Sequence, residues 1–218
     1  MRCIAHRGFA GVNPENTVPA VRRAVEAGAD AIEVDVRRCR SGELVVVHDA
    51  TVDRVTDGSG AVADLPLSEL ASLDVLGTGR GMPTLQAVVD AVPASVGLNV
   101  ELKETGLAGD LLSVVGDRDD VLVSSFDPQA LREVADRSEC PLALLCAERA
   151  GAIETAESLT CAAVHPHHGF CDDALVAAGH DADLRVNAWT VRDTATAARL
   201  RDSGVDGLIS DAPSYCRV

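Results

Sequence analysis

Ala31-Ile32-Glu33-Val34-Asp35-Val36, followed after a polar break by Leu44-Val45-Val46-Val47-His48-Asp49, decides how this chain folds. β-branched runs of this length form strands. Side chains alternate across a strand, so Glu33 and Asp35 share one face while Ile32, Val34 and Val36 share the other. Two carboxylates on one face of an apolar strand are costly to bury without a compensating charge, and a bound cation is the simplest one. Ser41-Gly42 between the runs predicts a two-residue hairpin turn. In that register Arg40 pairs with Glu43 and Asp35 faces His48, which sets a titratable imidazole beside the carboxylate pair.

Outward from this hairpin, apolar β-type runs alternate with helical stretches along nearly the whole chain. They predict strands at 2–5, 31–36, 44–47, 97–102, 121–125, 142–146, 162–165, 185–189 and 207–209. Helices are predicted at 17–27, 84–92, 108–115, 128–137, 150–158, 172–178 and 193–203. Asn16-Thr17, Asp127-Pro128 and Asp193 mark helix starts, and Gly28 and Gly204 mark helix ends. Such alternation gives a parallel α/β fold. With 44–47 as the return arm of the hairpin, eight parallel strands remain, which make a small (β/α)8 TIM barrel. Residues 1–218 are read as a single domain, with the glycine-rich segment 51–82 as an insertion over the barrel mouth. The rival fold, an open doubly wound sheet, lacks the GxGxxG expected after its first strand.

Composition narrows the function classes. The chain has 218 residues and a formal charge of −15, from 34 acidic and 19 basic side chains. An acidic surface repels phosphate backbones, which argues against nucleic-acid binding. The chain has no long apolar run and its N-terminus has no signal-peptide pattern, so a cytoplasmic protein without membrane insertion is expected. Lys103 is the one lysine, and the other 18 bases are arginine. Excess acid with almost no lysine points to a salt-adapted cytosol, with the codon bias of a GC-rich genome as the rival explanation. Aromatic residues make up 2% of the chain, so its core must be mainly Val, Leu and Ala. The seven cysteines (3, 39, 140, 146, 161, 171 and 216) form no CxxC pair and are expected as buried free thiols in a reducing compartment.

On a barrel, active sites are built at the C-terminal ends of the strands. Three polar sets fall there: His6-Arg7-Gly8 after the first strand, Glu33 and Asp35 on the second, and Asn99, Glu101 and Lys103 alternating along 97–103. Glu33, Asp35 and Glu101 can hold a hard divalent cation through oxygen. His6 and His48 titrate near neutrality and suit an acid and a base. Arg7 and Lys103 suit an anionic substrate oxygen.

The ordered set of motifs resembles the glycerophosphodiester phosphodiesterase family. It comprises His6-Arg7-Gly8, Pro14-Glu15-Asn16-Thr17, residues 28–36, Val47-His48-Asp49, Asp53-Arg54-Val55-Thr56, Pro83-Thr84-Leu85, residues 99–103, Ser124-Ser125-Phe126-Asp127-Pro128, Ala188-Trp189-Thr190-Val191 and Ile209-Ser210-Asp211-Ala212-Pro213. The resemblance implies a TIM barrel with a metal-dependent site that splits glycerophosphodiesters, such as glycerophosphocholine or glycerophosphoglycerol, into an alcohol and glycerol phosphate. It implies acid and base roles for His6 and His48, binding of Mg²⁺ or Ca²⁺ by Glu33, Asp35 and Glu101, and phosphate contacts from Arg7 and Lys103. Cys39-Arg40-Ser41-Gly42 departs from the family's Thr-x-Asp-Gly turn, a scaffold change outside the site. The insertion shapes the pocket in this superfamily, so the preferred alcohol is left open. Rival functions are a related barrel phosphodiesterase for an inositol or lysophospholipid ester, and a non-catalytic phosphodiester-binding module. The module would need no acid–base pair.

Blander readings stand beside these. His6 can be a structural rim histidine, Lys103 a surface lysine, and Glu33 and Asp35 partners of Arg37 or Arg54. Trp189 is either a core residue or an apolar wall against the substrate's carbon skeleton. His165, His167 and His168 are not spaced for one tetrahedral ion and are read as loop or substrate-rim residues. Arg37, Arg38 and Arg40 are expected on a solvated hairpin arm.

Overall fold

The computed structural model describes residues 1–217. Within them, eight parallel strands close into a barrel: β1 (Arg2–His6), β2 (Ala31–Arg38), β4 (Gly97–Leu102), β5 (Val121–Ser125), β6 (Leu142–Cys146), β7 (Ala163–Pro166), β8 (Arg185–Val191) and β9 (Gly207–Ser210). β1 pairs with both β2 and β9, which seals the sheet. β3 (Leu44–Val46) lies antiparallel on β2 as the return arm of the hairpin. The helices follow in turn: α1 (Val18–Glu26), α2 (Leu67–Leu70), α3 (Leu85–Val89), α4 (Ala108–Val115), α5 (Pro128–Ala135), α6 (Ala152–Ser158), α7 (Asp173–Asp181) and α8 (Thr194–Asp202). A 3₁₀ turn, Pro213–Arg217, stands in the place of the last helix.

The local signals act as the sequence indicates. Thr17, Asp127 and Asp193 cap α1, α5 and α8 with their side-chain oxygens. The outward faces of the strands, such as Ile32, Val34, Leu98, Val100 and Val123, join helix residues such as Leu111, Leu131 and Leu200 in one core. β3 alternates between two cores. Leu44 and Val46 enter this main core, while Val45 enters a small separate one with Val52, Val55, Leu70 and Val75. The insertion therefore holds itself together against the arm.

Three expectations need correction. The hairpin register is one residue off, because Val36 pairs with Val46 and Arg38 with Leu44. Cys39 donates its N–H to Glu43, leaving Arg40, Ser41 and Gly42 as a three-residue loop. Gly42 sits at φ +105°, and the Arg40 N–H leaves the ladder for the Leu65 carbonyl. Asp35 thus faces Val47 and not His48. His48 instead lies beyond the end of β3, where the chain leaves the ladder. The cysteines are not all free, since Cys3 and Cys216 form a disulfide. Barrel closure brings β1 beside β9 and sets the turn after β9 against β1, a proximity that spacing does not reveal. The cross-link spans a sequence separation of 213, so it restricts the unfolded chain strongly. Cys39, Cys146, Cys161 and Cys171 are buried thiols. The third correction concerns the arm, where Arg40 is exposed but Arg37 and Arg38 are half-buried and tied to Glu104.

No helix among the described residues is long and apolar enough to cross a membrane.

Candidate active site

A sharp turn after β1 builds the first wall of the site. Arg7 and Gly8 take left-handed conformations, φ +50° and +77°. A Cβ on Gly8 would meet the Ala20 backbone at 2.9 Å, so glycine is required there. The turn aims the Arg7 N–H at Glu33 Oε2, 2.9 Å away, and brings the guanidinium within 3.0 Å of Asp35. Asn16 donates to Asp35 Oδ2 at 2.8 Å. The rival partners are engaged elsewhere: Arg37 with Glu104 and the His48 carbonyl, Arg54 with Glu15 and Asp49.

β2 and β4 run in register, so Glu33 lies opposite Asn99 and Asp35 opposite Glu101. Carboxylate oxygens of Glu33, Asp35 and Glu101 all come within 4.8 Å of one another. All three side chains are buried. Lys103 Nζ lies 2.5 Å from Glu101 and 3.5 Å from Asp35. Burial, and then repulsion from Asp35, pushes Glu101 up to about 7. Burial and its two acidic neighbours raise Glu33 well above the carboxylate range. Burial also acts against Asp35, but Arg7 and then Lys103 hold it low. Three acids this close are therefore short of positive charge. Glu33 Oε1 and Asp35 Oδ1 also receive no hydrogen bond. A buried all-oxygen donor set with spare lone pairs fits a hard divalent ion. Among the described residues, this trio is the one group of His, Cys, Asp and Glu side chains close enough to share an ion.

Both histidines face the same cavity, of about 120 Å³, which Arg7, Glu33, Glu101, Lys103 and Trp189 also line. Each imidazole rests on a carboxylate. His6 Nδ1 is 2.6 Å from Asp211 Oδ1, and His48 Nδ1 is 2.6 Å from Asp49 Oδ1. An ionised carboxylate only accepts, so Nδ1 carries the proton in both rings and Nε2 is left for the cavity. An arginine completes each brace: Arg192 on Asp211 at 2.7 Å, and Arg54 on Asp49 at 2.5 Å. Arg54 above all, with help from His48, draws Asp49 down to about 2. Burial lowers His48, which favours its neutral form.

Trp189 donates its indole N–H to the His165 carbonyl at 2.7 Å and meets Phe126 edge-on at 5.2 Å. His165, read from the sequence as a loop or rim residue, lies instead on β7, fully buried beside Asn187, because the strand runs on to Pro166; burial brings it down to about 3. His167 stacks on His168 and touches the edge of Trp189.

Known proteins share this fold and much of this sequence. The sequence profile of the glycerophosphoryl diester phosphodiesterase family matches residues 6–215. The chain belongs to this family. A glycerophosphodiester phosphodiesterase of Caldanaerobacter subterraneus is 34% identical, with 96% of this chain and 93% of the relative covered. The solved structure of an Oleispira antarctica phosphodiesterase, in complex with the product sn-glycerol-3-phosphate, superposes with a TM-score of 0.93 at 31% identity. The match covers 100% of this chain and 95% of that one. The Thermotoga maritima glycerophosphodiester phosphodiesterase superposes with a TM-score of 0.86 at 27% identity, covering 98% and 95%. The protein is a phosphoric diester hydrolase of the TIM-barrel type.

Sequence reasoning did not single out several neighbours of this phosphodiesterase site. Asp211 and Asp49 were visible only inside motifs, with no spacing rule to link Asp211 to His6. Arg54 and Phe126 also stood only inside motifs, Arg54 with the different role of partner to Glu33 and Asp35, and Arg192 stood in none. Asp49 could have been found as the polar neighbour that directly follows His48.

Proposed function

We propose that the enzyme hydrolyses glycerophosphodiesters to an alcohol and glycerol phosphate, with a divalent ion, Mg²⁺ or Ca²⁺, held by Glu33, Asp35 and Glu101. The observation that carries this reading is the meeting of two carboxylate-backed imidazoles with Glu33 and Glu101 at one cavity, Asp35 lying buried just behind those two acids. A divalent ion in that trio supplies neutralisation of phosphate oxygens. Lys103 and Arg7, both lining the cavity, present an ammonium and a guanidinium to two phosphate oxygens. His48, held neutral by burial, accepts the proton of the attacking hydroxyl: that of water, or that on the glycerol's neighbouring carbon, in which case a water then opens the cyclic phosphate to glycerol phosphate. His6 acts from its imidazolium form: Nδ1–H stays on the Asp211 carboxylate, and the second proton, on Nε2, passes to the leaving oxygen. Trp189 and Phe126 form an apolar wall along the carbon skeleton.

The test is turnover of glycerophosphocholine, glycerophosphoethanolamine and glycerophosphoglycerol with product identification, with and without chelator. Release of alcohol and glycerol phosphate that stops on chelation is expected. Glu33→Ala, Asp35→Ala and Glu101→Ala each abolish it and weaken calorimetric binding of Mg²⁺ or Ca²⁺. Undiminished metal affinity in all three variants refutes the metal site.

A further inference from the structure

The cavity has a polar floor that the chemistry above leaves unused. Asn99 and Ser124 line it and are 2% and 0% exposed. The Asn99 amide oxygen and nitrogen and the Ser124 hydroxyl have no hydrogen-bond partner among the described residues. Buried polar groups are otherwise almost always paired. Asn99 precedes Glu101 by two residues on β4, so it faces inward one position deeper, while Ser124 lies level with Glu101 on β5. Leu145 and Ile209 supply apolar surface in the same cavity. The solvent end is different, because Phe126 is 41% exposed there and the Arg192 side chain 69%.

A phosphodiester anchored at Arg7 and Lys103 has two arms, one toward the floor and one toward the mouth. The floor suits a small arm that carries hydroxyls for Asn99 and Ser124 and C–H surface for Leu145 and Ile209. A glyceryl group has both. The alcohol that varies between substrates then points to the open mouth. We infer that Asn99 and Ser124 are specificity-determining residues that hydrogen-bond the glyceryl hydroxyls. The inference rests on the glycerophosphodiester reading and assigns the inner half of that site.

The test pairs a missing substrate hydroxyl with missing protein groups. Glycerophosphocholine is compared with the phosphocholine diester of propane-1,2-diol. The analogue lacks the terminal hydroxyl but keeps the one beside the phosphate, so an intramolecular route stays open. A site built around a hydroxyl rejects an analogue without it, and a kcat/KM ratio of at least about 10² is expected for the wild type. Ser124→Ala and Asn99→Ala should cost activity on glycerophosphocholine far more than on the analogue, and the double variant should bring the ratio below about tenfold. A wild-type ratio near one, or parallel losses on both substrates in both variants, overturns the inference, since a structural role alone gives parallel losses. Calorimetric binding of glycerol 3-phosphate against propane-1,2-diol phosphate reads the same ratio without turnover, and Ser124→Ala is conservative enough to fold. If the wild type turns over none of the three glycerophosphodiesters, the parent reading fails, and this binding ratio still decides the floor.

Discussion

His6 is braced by a residue 205 positions away, and His48 by its chain neighbour. The first brace is a product of barrel closure. β1 lies beside β9, and the backbone of Asp211 is fixed at both ends by Gly11 and Val191. Its side chains are 11% and 13% exposed. The second brace hangs outside the barrel. His48 and Asp49 are 36% and 27% exposed, and Asp49 is held by Arg54 of the insertion, which also pairs with Glu15. Glu15 in turn pairs with Arg7. One imidazole is therefore oriented by a rigid, buried pair and the other by a chain of surface charges. Similar chemistry has two physical bases, and perturbations should separate them.

The largest effect should come from removing the rings. His6→Ala and His48→Ala each lower kcat by roughly 10² to 10⁴, the usual contribution of a positioned acid or base. An activated leaving group, such as p-nitrophenol, needs no protonation. It should restore turnover in the His6 variant and not in the His48 variant. Restoration of the His48 variant instead would reverse the assignment, and wild-type turnover in either variant would remove that residue from the pair.

The braces come next. Asp211→Asn lowers kcat by about 10² or more, because an amide in this shielded position no longer fixes the imidazole tautomer, while Asp49→Asn, at the more solvent-accessible brace, costs about tenfold. Asp49→Asn should also shift the pH profile, since the Asp49 carboxylate favours the protonated His48 ring against the effect of burial. Equal losses would mean that burial does not distinguish the two braces.

Between the braces sits the acid trio, which couples metal to protons. Glu33 and Glu101 titrate above the ordinary carboxylate range of about 4.3, with Glu101 near about 7. The folded, metal-free protein thus binds more protons than the unfolded chain between these values. Stability from these groups is present at low pH and is lost as pH rises through the window. A divalent ion competes with those protons. The rise in Tm on adding Mg²⁺ or Ca²⁺ to chelated protein should be larger at pH 8 than at pH 5.5. An equal or smaller rise at pH 8, by calorimetry, would contradict the proton-holding trio.

The contrast between the braces also tells what a sequence discloses. Period-two alternation put Glu33 with Asp35, and Glu101 with Lys103, on inward faces, and strand–helix alternation gave the barrel. These are local patterns, and local patterns are legible. The His6–Asp211 pair, the Cys3–Cys216 disulfide and the Asn99–Ser124 floor arise where distant strands become neighbours on closure. No spacing rule carries them. The hairpin slipped by one because Arg40 bonds to Leu65 in the insertion, a tertiary contact that overrides the two-residue turn. Asp35 and His48 are still close enough to interact electrostatically, although through a different path from the one the turn suggests.

Salt should give the smallest effect and the finest separation. The chain carries 34 acids against 19 bases, so self-repulsion opposes the compact state. Salt screens charge over about 10 Å at 0.1 M and about 3 Å at 1 M. Most excess acids have no basic partner to lose, so screening relieves more repulsion than attraction, and excluded salts strengthen hydrophobic burial. Tm should rise steadily from about 0.1 M to above about 1 M NaCl. A neutral osmolyte in place of NaCl isolates solvent exclusion from charge relief. A flat or falling Tm would leave codon bias as the reason for the single lysine. The same titration acts unequally on the braces. The Arg54 contacts with Asp49 and Glu15 are exposed and should be screened, whereas the His6–Asp211 pair is shielded by the barrel. The cost of Asp49→Asn should therefore shrink as salt rises while the cost of Asp211→Asn stays constant. Kinetics of both variants across the salt series would show it, and parallel curves would mean that the His48 brace is no more exposed to the solvent than the one sealed by barrel closure.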